Sequence, residues 1–171
     1  VCSYLLIKFY YGKAENVIAA NKAFIVNRVG DFGFLLGVVT LFFALGEVNL
    51  SFTSIEANLA NASNELLILS GILLFVGAMG KSAQIPLYVW LPDAMAGPTP
   101  ISALIHAATM VTAGIYMVAR FHFLYSGIEE IGLFIAYIGA FSALLAAIIA
   151  TRQTDIKKIL AYSTMSQLGY M

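Results

Sequence analysis

Long apolar runs alternate with short polar segments along this chain, and four of the runs reach the roughly 20 residues that a membrane-crossing helix needs. They cover residues 24–46, 66 to about 91, 100–119 and 131–150. Residues 1–11 and 156–171 carry the same apolar character over shorter lengths, and read as the end of an earlier helix and the start of a later one. The pattern predicts an all-α, polytopic transmembrane helix bundle, a single membrane domain over 1–171 that is a fragment of a longer protein.

The polar segments between the runs sort by charge. The first carries Lys8, Lys13, Lys22 and Arg28, and the fifth Arg152, Lys157 and Lys158, whereas the second has Glu47, Glu56 and Glu65 without a base. Asp93 is the only charge in the third, and the fourth has Arg120 with Glu129 and Glu130. Outside Lys81, seven of the eight lysines and arginines therefore fall on one side of the predicted topology. Basic residues favour the cytoplasmic side or its organellar equivalent, which places the first, third and fifth connections there. The second connection, rich in Asn and Ser, is expected to be an external loop with one helical turn.

Composition supports the membrane reading and narrows the chemistry. The 171 residues are 61% hydrophobic and 11% charged, far from the ~45–50% and ~25% of soluble domains. The formal net charge is zero and no basic run is present, which excludes nucleic acid as a partner. Cys2 is the only cysteine, so neither an internal disulfide nor a four-cysteine iron–sulfur site can form. No metal site, redox centre or cofactor-binding motif is expected in this chain.

Against that background Lys81 is exceptional. It lies deep in the second run, about 15 residues and hence roughly 22 Å along its helix, where an ionisable side chain costs about 3 kcal/mol or more to retain. Pro86 follows five residues later, removing a backbone donor and freeing a carbonyl near Ser82, so the helix is expected to break between Lys81 and Pro86. Irregular backbone at membrane depth survives only where protein or a water-filled cavity satisfies it. A lysine beside such a break has the form of a proton or ion site; the alternative is a lysine whose stem snorkels to the inner surface. Gly80-Lys81-Ser82 is not a phosphate loop, because Phe75 stands where that motif needs glycine.

The Pro-rich third connection leads into Thr99-Pro100, a fitting N-cap and first-turn pair, and two turns later comes His106. Histidine gives and takes protons near neutral pH, which makes it a natural neighbour for a lysine relay. Thr109 and Thr112 follow with hydroxyls suited to a polar network. A neutral histidine bonded to another helix is the bland alternative. Asp31 stands three residues after Arg28 at the inner entry of its span, where the two either pair at the surface or form a proton entrance. Small residues Gly139, Ala143 and Ala147 recur every four, which suits close helix packing.

The stretch Gly77 to Arg120, GAMGKSAQIPLYVWLPDAMAGPTPISALIHAATMVTAGIYMVAR, closely resembles the signature region of the antiporter-like membrane subunits of respiratory complex I, of the type called subunit L or subunit 5. Ala23 to Gly37 and Thr154 to Met171 resemble the same family, which also includes the large subunit of Mrp-type sodium/proton antiporters. The resemblance implies two inverted five-helix repeats, each with a broken helix. Lys81 is then the central lysine, His106 the bridging residue one helix on, and Arg28 and Asp31 part of a polar network near the inner side. It places the glutamate that pairs with the lysine before Val1, and Tyr88 stands where many relatives have histidine.

The implied function is proton translocation in a non-redox membrane subunit of an NADH:quinone oxidoreductase, in a bacterial inner membrane or a mitochondrial inner or thylakoid membrane. NADH, flavin, iron–sulfur clusters and quinone would belong to partner subunits. This chain would contact the lipid bilayer and other membrane subunits, and the redox arm only indirectly. An Mrp-type antiporter subunit and a passive structural bundle are the rival readings.

Overall fold

The computed structural model describes residues 2–46, 51–59 and 62–171. Val1, residues 47–50, which include Glu47, and residues 60 and 61 lie outside them.

Helix α1 (Cys2–Ile7) leads through a short turn into α2 (Ala14–Leu45), whose 32 residues span about 48 Å at 1.5 Å each. Helix α2 starts ten residues before the apolar run at 24–46, because 14–23, with its alanines and no breaker, holds nothing that would stop it. Gly46 stops it in the left-handed conformation (φ 64°), its N–H bonded to the Phe42 carbonyl, the residue for which that conformation costs least.

One face of α2 is a stripe of small residues, Ala20, Ala23, Gly30, Gly33 and Gly37, all buried. Phe32, Leu35 and Phe43 on other faces are exposed and suit lipid. Helix α4 (Asn64–Ser82) lies against the small stripe. A Cβ on Gly30 would stand 3.0 Å from the Gly80 Cα, so the two backbones touch where neither residue has a side chain.

Helix α3 (Phe52–Asn58) is capped by Ser51, whose hydroxyl accepts from the Ser54 N–H at 3.3 Å. It gives the predicted loop two helical turns rather than one. After α4 the chain runs through turns to a short 3-10 segment at Asp93–Ala96, then α5 (Thr99–Ala103), a π-helical turn at Leu104–Ala108 and α6 (Thr112–Arg120). Pro98, not Thr99, occupies the cap position of α5, its carbonyl accepting from the Ser102 N–H at 2.9 Å. Thr99 and Pro100 are thus the first two helical residues. Helix α7 (His122–Ser126) turns the chain into α8 (Glu129–Thr151), and α9 (Ile156–Tyr170) folds back along α8. There the expected close approach occurs: a Cβ on Gly139 would lie 2.6 Å from the Gly169 carbonyl oxygen, and the Ser166 hydroxyl donates to the Ala143 carbonyl at 3.0 Å.

Four helical stretches, Ala14–Leu45, Asn64–Ser82, Thr99–Arg120 and Glu129–Thr151, are long and apolar enough to cross a membrane. At one end of the bundle Lys22 of α2 pairs with Asp93 at 2.6 Å, and Lys157 of α9 donates to the Gly97 carbonyl at 3.4 Å. The first, third and fifth connections therefore meet. At another place the Arg120 guanidinium stacks 4.4 Å from the Phe52 ring, with Phe121 and Phe123 edge-on to the same ring, so the second and fourth connections meet as well.

Candidate proton-transfer site

The break after Lys81 can be followed group by group, because every buried backbone donor and acceptor needs a partner. Helix α4 ends at Ser82, and Ala83 adopts a left-handed conformation (φ 51°, ψ 43°) with its N–H on the Met79 carbonyl. The Gln84 N–H also turns to Met79, at 3.0 Å, which leaves the Gly80 carbonyl without its usual helical donor; the Trp90 indole N–H takes it at 3.0 Å. The Ile85 N–H donates to the Ser142 hydroxyl of α8 at 3.1 Å. The Ser82 carbonyl, which Pro86 cannot serve, accepts from the Gln84 side-chain amide at 3.4 Å. The predicted break is thus built and stitched to its neighbours. The helix stops well short of residue 91, and residues 83–92 are non-helical apart from turns.

Lys81, the penultimate residue of α4, sits where the negative end of the helix dipole favours a cation. Its Nζ lies 2.8 Å from Asp31 Oδ1 of α2. The touching backbones of Gly30 and Gly80, each one residue before a member of the pair, bring the two charges together. Asp31 Oδ2 is also 3.9 Å from the Arg28 Nη1, so one carboxylate stands between two cations. The Lys81 and Asp31 side chains remain 34% and 39% accessible within this chain. The lysine is not unpaired, as the apolar run around it suggests. Its partner was in view as a residue but not as a partner, since two helices and a glycine contact intervene.

His106 lies inside the π-helical turn. Such one-turn widenings are rare and frequent at functional sites. The Thr109 N–H reaches back five residues to the Leu104 carbonyl at 3.1 Å, and the Thr109 hydroxyl bonds the same carbonyl at 3.0 Å. Thr112 donates toward the Ala108 and Thr109 carbonyls, at 3.2 and 3.3 Å. Both threonine hydroxyls therefore bond carbonyls in and beside the turn. The Val111 carbonyl, just beyond, accepts from the Ser82 hydroxyl at 2.7 Å, which ties the two interrupted helices directly. A side chain on Gly114 would collide with that Ser82 Oγ.

The His106 Nδ1 is 3.2 Å from the Thr164 hydroxyl of α9. Among the described residues no hydrogen bond or ion pair joins Lys81 to His106, so the structure brings Lys81, Asp31 and Arg28 into one group and His106 with Thr164 into another. A groove of about 520 Å³ between α4, α6, α8 and α9 lies apart from both; its lining is apolar apart from Ser82, Gln84 and the chain's last residues. Gln84 Oε1 is buried without a partner. Thr164, Trp90 and Ser142 escaped the sequence reading. Their contacts are not visible in the local sequence, because each bonds a group outside its own helical turn.

The sequence model of the NADH:quinone oxidoreductase/Mrp antiporter transmembrane family matches residues 1–171. The chain belongs to this family. It is 54% identical over 175 residues to NAD(P)H-quinone oxidoreductase subunit 5, organellar chromatophore 1, of Paulinella chromatophora, and 55% identical over 179 residues to NADH-quinone oxidoreductase subunit L of Rickettsia bellii. Both matches use the whole chain, which spans only 26% and 28% of those relatives' lengths. Among solved structures, the Mrp complex from a Dietzia species superposes with a TM-score of 0.85 at 32% identity, over 99% of this chain and 18% of that one. An archaeal respiratory membrane complex, the membrane-bound sulfane sulfur reductase, superposes with a TM-score of 0.87 at 26% identity, over 98% of this chain and 34% of that one. The family and the apolar helices make this an integral membrane protein with an antiporter-like fold.

Proposed function

We propose that the full protein is a proton-translocating membrane subunit of an NADH:quinone oxidoreductase, resident in a bacterial inner membrane, and that this chain holds one of its proton-transfer stations. The observation that carries the reading is the Lys81–Asp31 pair at 2.8 Å, set at a helix break inside an apolar span. Desolvation favours a neutral amine and a nearby carboxylate favours an ammonium. Shifting Asp31 between Lys81 and Arg28 therefore changes how tightly the lysine holds its proton, with no redox chemistry in the chain itself.

A proton released by Lys81 would pass through intervening water to His106, and from there toward the second repeat, to which α8 and α9 would belong. Arg28 holds the carboxylate's alternative position. Thr109 and Thr112 stabilise the π-helical turn on which the histidine is presented. NADH, flavin, iron–sulfur clusters and quinone would reside in partner subunits, and the chain counts as part of an enzyme only as a translocase.

The curated relatives at 54–55% identity carry the names of quinone oxidoreductase subunits, which supports this reading over a sodium/proton antiporter. Purification of the full-length protein from its native membrane tests the choice. The proposal expects co-purified iron–sulfur and quinone-binding subunits, and acidification driven by NADH oxidation. Isolation without redox partners, with sodium-dependent proton exchange driven by a pH gradient alone, would favour the Mrp reading.

A further inference from the structure

The Thr164 side chain is placed to do more than pack. Its hydroxyl oxygen is 2.9 Å from the Leu160 carbonyl, four residues back in α9, and 3.2 Å from His106 Nδ1. A threonine hydroxyl has one hydrogen, and a backbone carbonyl can only accept. The short bond to Leu160 therefore uses that hydrogen, as threonines in helices commonly do toward the i−4 carbonyl. If Nδ1 carried no hydrogen of its own, two lone pairs would face each other across the remaining 3.2 Å. The shorter contact to Leu160 favours the imidazole as the donor.

We infer that Thr164 is a positioning residue for His106: it holds the neutral imidazole with its hydrogen on Nδ1, leaving Nε2 as the nitrogen that takes the relayed proton. The inference rests on the proton-relay reading of His106. Because the hydroxyl hydrogen is committed to a backbone carbonyl, Thr164 orients the ring and does not itself pass the proton on. It also makes the relay depend on α9. The segment beyond α8 thereby sets the protonation geometry of a residue on the α5–α6 helix, which contact between apolar faces could not do.

The test uses the full-length protein in its assembled complex, with proton pumping measured in vesicles under redox drive. Thr164→Val keeps the shape and removes the acceptor, and should slow pumping roughly fivefold, the scale of one lost hydrogen bond. Thr164→Ser restores both bonds and should return the rate close to wild type. In a His106→Ala background, Thr164→Val should add no further loss, because there is no ring left to hold; two mutations acting through one contact are non-additive. Where Thr164→Val does not accumulate, Thr164→Ala, which adds no bulk, is read in its place.

Wild-type pumping by the Thr164 variant, with His106→Ala still slow, overturns this inference alone. An equal further loss in the His106→Ala background also overturns it and leaves Thr164 a packing residue. Normal pumping by His106→Ala, with Lys81→Ala impaired, removes His106 from the relay and this inference with it.

Discussion

Asp31 is the residue whose meaning changes most between sequence and structure. In the sequence it stands three positions from Arg28, and a surface pair is a sufficient account; in the fold its shorter contact, 2.8 Å, is to Lys81, and Arg28 lies farther off at 3.9 Å. Removing the carboxylate takes from Lys81 the anion that it contacts in this chain. Asp31→Asn should therefore slow redox-driven proton pumping by roughly tenfold, within the range that a positioned proton-transfer group contributes. Asp31→Glu keeps the charge and should retain a measurable part of the rate. Proton uptake by the reconstituted complex gives both numbers, and an Asp31→Asn complex that pumps normally would reduce the ion pair to a structural contact.

At the scale of elements, the interrupted helix is held by partners outside itself. Ser142 is fully buried in α8 and its hydroxyl receives the Ile85 N–H. Ser142→Ala would leave that donor without an acceptor, which costs about 1–3 kcal/mol. The expected result is a lowered melting temperature of the full-length protein in detergent, together with slower pumping; an unchanged melting curve would show that the bond contributes nothing. The break itself was legible, because proline five residues after a lysine in an apolar run has few other readings. The π-helical turn was not. Leu104-Ile105-His106-Ala107-Ala108 contains no glycine or proline, so its widening answers to tertiary contacts, among them Ser82 on the Val111 carbonyl. Helix α2 also extends ten residues before the apolar run at 24–46, since a hydropathy run does not mark where helical hydrogen bonding stops.

For the molecule as a whole, the alternation of connections is visible in three dimensions: Lys22, Asp93 and Lys157 gather with the first, third and fifth connections, and Phe52 and Arg120 with the second and fourth. Apolar runs and the lysine and arginine bias were enough to anticipate this arrangement. What they could not supply is the pairing of distant groups, Lys81 with Asp31 and His106 with Thr164, which depends on how closely glycine-lined helices approach. The sidedness has its own test. Single cysteines at Ala14 and Ala57, both exposed, should react with an impermeant thiol reagent from opposite sides in a Cys2→Ser background, Ala14 from the cytoplasmic or matrix side. Labelling of both from one side would overturn the span count and the depth assigned to Lys81.

The most direct measurement is proton pumping by an assembled Lys81→Ala complex under redox drive, with the amount of complex in the membrane quantified in parallel. The account predicts normal assembly and pumping reduced by roughly tenfold or more, because the amine that carries the proton at the helix break is then gone. Pumping at the wild-type rate in a fully assembled Lys81→Ala complex would contradict it, and would leave Lys81 as a lysine that merely reaches its carboxylate.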